Sequence, residues 1–85
     1  MTDLWLDGNA IEGLLVEALG TELTDAPRRC QSCRAVNAVG AHRAYQGAGV
    51  VLRCPACGDV ALRIVSLADE HVLTFAGEWR ITTPR

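Results

Sequence analysis

Cys30-Gln31-Ser32-Cys33 and Cys54-Pro55-Ala56-Cys57-Gly58 decide how this chain is to be read. Residues 34–53 lie between the two pairs, twenty in all. That is the upper edge of the spacing that two CxxC units take around one zinc ion. Zinc is satisfied by four thiolates in a tetrahedron, with sulfur at about 2.3 Å. Two residues between cysteines allow a tight turn that aims both thiolates at one ion. Gly58, directly after the second pair, supplies a backbone free to turn sharply and to point amides at sulfur. The intervening residues are enough for a β-hairpin out and back, with its tip at Gly47-Ala48-Gly49. On this reading each pair occupies a knuckle, and that one hairpin brings the knuckles together.

Three other fates for four cysteines are weaker. Disulfides need an oxidising compartment, and the start MTDLWLDGNA shows no basic leader followed by an apolar stretch. A thioredoxin-like redox CxxC needs a strand–helix setting, and no convincing helix follows Cys33 or Cys57. Iron in an all-sulfur site stays open, because Cys-Pro-x-Cys-Gly resembles a rubredoxin knuckle and a tetrahedral sulfur site fits both metals. The first pair lacks the matching glycine, so zinc is the expected ion and iron the alternative. A site with four cysteine ligands keeps no open position, whereas catalytic zinc normally keeps three protein ligands and a water. The expected ion is structural, and an enzyme is not expected. No Ser/His/Asp set, Gly-rich phosphate loop or HExxH helix is present. His42 and His71 have no finger spacing beside four cysteines and read as exposed or core-edge histidines.

Upstream of the motif, residues 9–20 read as a short amphipathic helix. Asn9 is placed to cap it, with Glu12 reaching back to the cap amide. Ile11, Leu14, Leu15, Ala18 and Leu19 form one apolar stripe, and Gly20 is a natural stop. Residues 21–29 read as a connector, with Pro27 as a breaker. Strands are expected at 38–46, 50–54, 60–66, 71–75 and 78–82. In these, Val60, Leu62 and Ile64 share a face, as do Leu73 and Phe75, and Trp79 and Ile81 point inward.

The length of 85 residues allows one domain, and a core of that size is marginal without a metal, disulfide or partner. An apolar content of 49% argues against disorder. No run of about 18 apolar residues exists, so no transmembrane helix is expected and a cytoplasmic location is the default. The formal net charge of −2 hides a polarity. Residues 1–25 carry six acids and no base, whereas residues 26–63 carry six arginines against Asp59. This suggests either mutual docking or two surfaces for different partners. Arg28, Arg29 and Arg34 flank the first knuckle, Arg53 precedes the second, and Tyr45 lies near the hairpin tip. These five are the candidate contacts for nucleic acid or a protein partner.

The leader Leu6-Asp7-Gly8-Asn9-Ala10, the connector ending in the first CxxC, and Val51-Leu52-Arg53-Cys54-Pro55-x-Cys57 resemble a family of small, uncharacterised bacterial zinc-ribbon proteins that form a domain of unknown function. The resemblance runs from about residue 6 to residue 82 and implies a metal-bound fold without a known activity. Arg34 departs from the glycine that such knuckles often carry after the second cysteine, which bears on the local turn and not on ligation. More broadly, the ribbon resembles those of nucleic-acid machinery, a likeness at the level of fold alone.

The expected protein is thus a small α+β metal-bound domain, with an N-terminal helix plus an antiparallel zinc-ribbon β-sheet. It spans residues 1–85 as one domain, with 1–25 a helical leader and 26–85 ribbon and strands. Cys30, Cys33, Cys54 and Cys57 hold Zn2+. A non-catalytic protein-interaction or adaptor module is the first expectation, with an unidentified protein partner or a second copy of the chain. A nucleic-acid-binding regulator is the alternative.

Overall fold

A computed structural model describes residues 5–82. Asp3 of the acidic leader and Arg85 lie outside them. Among the described residues the architecture is one α-helix and eight short strands in two antiparallel sheets. Strands β1 (Leu6–Asp7), β4 (Arg43–Gln46), β5 (Val50–Arg53), β6 (Val60–Ser66) and β7 (His71–Phe75) form a five-stranded sheet in the order β1-β4-β5-β6-β7. Strands β2 (Pro27–Arg29), β3 (Val36–Ala38) and β8 (Glu78–Trp79) form a smaller sheet in the order β3-β2-β8.

Helix α1 (Glu12–Leu19) follows a 3-10 turn at Gly8–Ile11. Its stripe behaves as the spacing predicts: Ile11 and Leu15 are buried, and Leu14 and Leu19 pack partly against the same cluster. Gly20 ends the helix in the left-handed conformation at φ 74°, its amide bonded to the Val16 carbonyl. The capping role expected of Asn9 is not met. The residue before α1 is Ile11, with no side-chain cap, and Asn9 lies inside the 3-10 turn. Docking sets this entry in place of a cap. The Gly8 amide donates to the His42 carbonyl at 2.7 Å, which lays the leader on a second 3-10 turn at Val39–Ala41.

That second turn also divides the strand expected at 38–46. The Val39 amide bonds to the Ala26 carbonyl and the Gly40 amide to the Thr24 carbonyl. The chain is thereby pulled out of one ladder and restarted in another as β4. The connector is not featureless either, for its end, Pro27–Arg29, is the central strand of the small sheet. Pro27 is tolerated as the first residue of that strand, where the ladder is only starting. Strands β6 and β7 match their predicted spans. Strand β8 is two residues long, and Ile81, expected inward, is 49% exposed.

Ile11, Leu15, Val39, Ala44, Leu52, Ala61, Leu62 and Ile64 make up the buried core. It lies between the helix layer and one face of the five-stranded sheet. The other face carries no element among the described residues. Alternation along the strands sends Arg43, Tyr45, Val51, Arg53, Arg63, Val65 and Val72 to that open side. No helix among the described residues is long and apolar enough to cross a membrane.

Gly8 is held where a side chain has no room. A Cβ there would run into the Val39 carbonyl oxygen, backbone against backbone. We expect Gly8→Ala to destabilise the metal-loaded protein by about 2 kcal/mol, the range of overpacked sites. A urea titration followed by circular dichroism reads this as a lowered midpoint.

Candidate metal centre

Each cysteine pair occupies the tip of its own hairpin. Cys30 and Cys33 lie between β2 and β3, and Cys54 and Cys57 lie between β5 and β6. The hairpin at Gly47–Gly49 exists as β4–β5, but it is not the element that carries both knuckles. The two tips repeat the same backbone pattern. The amides of Cys30 and Cys54 bond to the carbonyls of Ala35 and Asp59. Those of Arg34 and Gly58 bond back to the carbonyls of Cys30 and Cys54. The Ser32 amide donates to Cys30 Sγ and the Ala56 amide to Cys54 Sγ, each at 3.4 Å.

All four sulfurs lie within 4.8 Å of one another. Cys30–Cys57 and Cys33–Cys54 are each 3.6 Å apart. A disulfide would bring two of them to about 2.05 Å. A tetrahedron with metal–sulfur bonds of about 2.3 Å has edges of about 3.8 Å. The cluster therefore fits a metal ion held by four thiolates, and all four cysteines are free. The first cysteine of each pair is buried and the second exposed. Four adjacent thiols compete for ionisation. Hydrogen bonds from the backbone at Cys33 and Ser32 lower Cys30 to about 6. The Asp59 backbone pulls Cys57 down, yet partial desolvation against the cluster and the other three sulfurs push it up to about 12. A bound dication ends that competition by stabilising every thiolate.

The residues between the cysteines hold the two knuckles to each other. The Gln31 amide nitrogen donates to Asp59 Oδ2 at 2.8 Å and to the Val60 carbonyl at 3.1 Å, and the Ser32 hydroxyl also bonds to Asp59. The Ser32 bond, with the Val60 amide and Gln31, holds the Asp59 carboxyl below its usual range. Sequence reasoning passed over Gln31, Ser32 and Asp59. An acid just after the second knuckle, facing amide and hydroxyl side chains inside the first, was the signal available.

Arg28 was expected at the surface, and this is corrected: it is 1% exposed. Its Nε donates to the Ala76 carbonyl at 3.0 Å, one terminal nitrogen to His42 Nε2 at 3.1 Å, and the other to Gln31 Oε1 at 2.6 Å. His42 is also buried, and its Nδ1 donates to the Ala38 carbonyl at 2.9 Å. Burial, aided by the charge of Arg28, lowers its pKa and keeps the ring neutral. Arg29 and Arg34 are exposed at the first knuckle. Arg53 bonds to the Gly58 carbonyl and lies over the ring of Tyr45, 5.8 Å from its centroid. Among the described residues no ion pair joins the acids of the leader to the arginines. The single ion pair among the described residues is Arg80–Glu78, at 3.7 Å.

Arg34 has φ 67°, matching φ 83° at Gly58 in the other knuckle. The turn geometry demands a left-handed residue, which costs a side-chain-bearing residue about 1–2 kcal/mol. We expect Arg34→Gly to raise stability by about 1 kcal/mol, less than the full strain because glycine loses more entropy on folding. Differential scanning calorimetry of the loaded protein checks this.

The chain belongs to a family of unknown function (DUF6510), whose family model matches residues 1–85. No curated protein and no solved structure matches it.

Proposed function

For a member of that family, we propose a non-catalytic zinc ribbon. One structural Zn2+ is held by Cys30, Cys33, Cys54 and Cys57, and the clamped scaffold serves as a protein-interaction or adaptor module. The observation that carries the zinc site is the approach of four free sulfurs to tetrahedral spacing on two matching knuckles. Four thiolates fill the coordination sphere, so the ion has no position for substrate or water. Zinc suits this donor set, and iron is the competitor that metal analysis decides. A reducing compartment such as the cytosol keeps the ligands as thiols.

The adaptor surface is the acidic side of the leader. Glu17, Glu22 and Asp25 are exposed, Glu12 is half-buried, and residues 1–25 hold no base. A hydrogen bond with Glu12, and its charge, raise the Glu22 carboxyl above its usual value. Crowded acids without a cation favour a partner with a basic surface. Pull-down from lysate with Glu12→Lys and Glu17→Lys together tests this: the recovered partners change, and unchanged partners reject the helix face as the contact. Arg29 and Arg34, still exposed at the knuckle, keep a second reading in view, a nucleic-acid-binding regulator.

A further inference from the structure

The open face of the five-stranded sheet holds an arrangement that stability does not explain. Arg43 on β4 is directly opposite Arg53 on β5, and Arg63 on β6 is opposite Val51 of β5. Three adjacent strands each place an arginine on this side. Like charges directly opposite one another across a strand pair destabilise a sheet. None of the three is within ion-pair distance of a carboxylate among the described residues. Asp7, across β1 from Arg43, is the one acid that the register brings alongside. The remaining acids of the leader that lie among the described residues belong to α1 and the connector, in the layer that covers the other side of the sheet.

Two aromatic rings share this face with the arginines. Tyr45 is paired with Val51 in the centre of the sheet. The guanidinium of Arg43 lies over the Trp5 ring at 4.9 Å from its centroid, and that of Arg53 over Tyr45 at 5.8 Å. Trp5 is 44% exposed. A guanidinium lying over a ring keeps N–H groups free to turn outward, in a fork that matches a phosphate. The side chain is thereby ordered before a ligand arrives.

We infer that this face, Arg43, Arg53 and Arg63 with Tyr45 and Trp5, binds single-stranded nucleic acid. Guanidinium groups without carboxylate partners take phosphates, and the ring–guanidinium pairs offer stacking surfaces to bases. A duplex keeps its bases stacked on one another and cannot use those rings. A purely anionic protein partner would use the arginines and leave the rings idle. The inference keeps Arg53 and Tyr45 from the sequence reading and sets Arg43, Arg63 and Trp5 in the place of Arg28, Arg29 and Arg34. It does not depend on the adaptor role of the leader.

The test is fluorescence anisotropy of zinc-loaded protein with labelled oligo(dT) and oligo(U) of about 15 nucleotides. The expected result is binding at about 50 mM salt whose logarithm falls with the logarithm of salt at a slope of about −2, three phosphates being neutralised on a single strand. Arg43→Ala, Arg53→Ala and Arg63→Ala together are expected to weaken binding at least tenfold and to flatten that slope, and Arg43→Ala with Arg63→Ala, which keep the Arg53 bond to the Gly58 carbonyl of the second knuckle, are expected to weaken it about fivefold with zinc content and circular dichroism unchanged. Tyr45→Leu is expected to weaken binding about tenfold without altering the slope, as the loss of one stacking face would. Arg29→Ala with Arg34→Ala, a pair on the knuckle, is expected to leave affinity within twofold. The inference is overturned by absence of binding at low salt, by affinity that survives the triple variant, or by a duplex of the same length binding as tightly. Loss confined to the Arg29/Arg34 variant would return the site to the knuckle. A triple variant that changes only the oligomeric state in light scattering would make this face a contact between copies.

Discussion

Exhaustive chelation is expected to abolish the cooperative thermal transition of the zinc-loaded protein. Under the proposed zinc site, folding energy comes from two sources of unequal size. The core is eight residues, two of them alanine, and a core on that scale rarely supplies more than about 3–5 kcal/mol. Zinc bound by small finger peptides contributes about 10–16 kcal/mol. None of the eight core residues lies in β2, β3 or β8. With the proposed ion in place, the small sheet is fastened by that ion, the Gln31–Asp59 contacts and Arg28, with Trp79 its main hydrophobic tie. Amides of β2 and β3 should lose protection from hydrogen exchange first, and those of β5 and β6 last. Cys54→Ser should do the same as chelation, with zinc absent by mass spectrometry. A chelated chain that melts as sharply, and at the same temperature, as the loaded one would refute a structural role for the ion.

Arg28→Leu is expected to cost about 3–5 kcal/mol while zinc stoichiometry stays at one. The guanidinium donates to three acceptors on three segments: Ala76 after β7, His42 before β4, and Gln31 in the first knuckle. Each hydrogen bond from a charged donor contributes about 1.5–3 kcal/mol, and each acceptor left without a donor in the interior adds to the loss. Leucine restores apolar volume but satisfies none of the three. Arg28→Lys should recover little, because one ammonium cannot span a fork of three directions. Urea titrations of the loaded variants, analysed with a common slope, measure the difference. A loss below about 1 kcal/mol would mean that water replaces the guanidinium without penalty, contrary to its burial.

The clustering of the four cysteines was legible because its information is local: CxxC spacing, with a following glycine in the second pair, marks a knuckle within five residues. Strands β6 and β7 were legible for a similar reason, since their alternation runs long enough to have a period. Strands of two or three residues carry no period, and β1, β2 and β8 could not be delimited that way. The break at Val39–Ala41 depends on carbonyls of Thr24 and Ala26, which no window around residue 40 contains. Arg28 and Arg29 are adjacent and of one type, yet one is buried and the other exposed. Alternation in a strand that was not foreseen separates them.

The small sheet also fixes when the fold can close. Strand β2 pairs with β8, so Arg28 meets Trp79 only after about fifty intervening residues have found their places. Its other neighbour, β3, is close in sequence, but the first knuckle has no partner until Cys54 and Cys57 arrive. A nascent chain emerging amino end first exposes Cys30 and Cys33 to the solvent long before their ion site can be completed. Non-local pairing of this kind belongs to the slow end of small-domain folding, on the order of milliseconds to seconds rather than microseconds. Until then, two paired thiols are open to oxidation or to capture by the wrong metal.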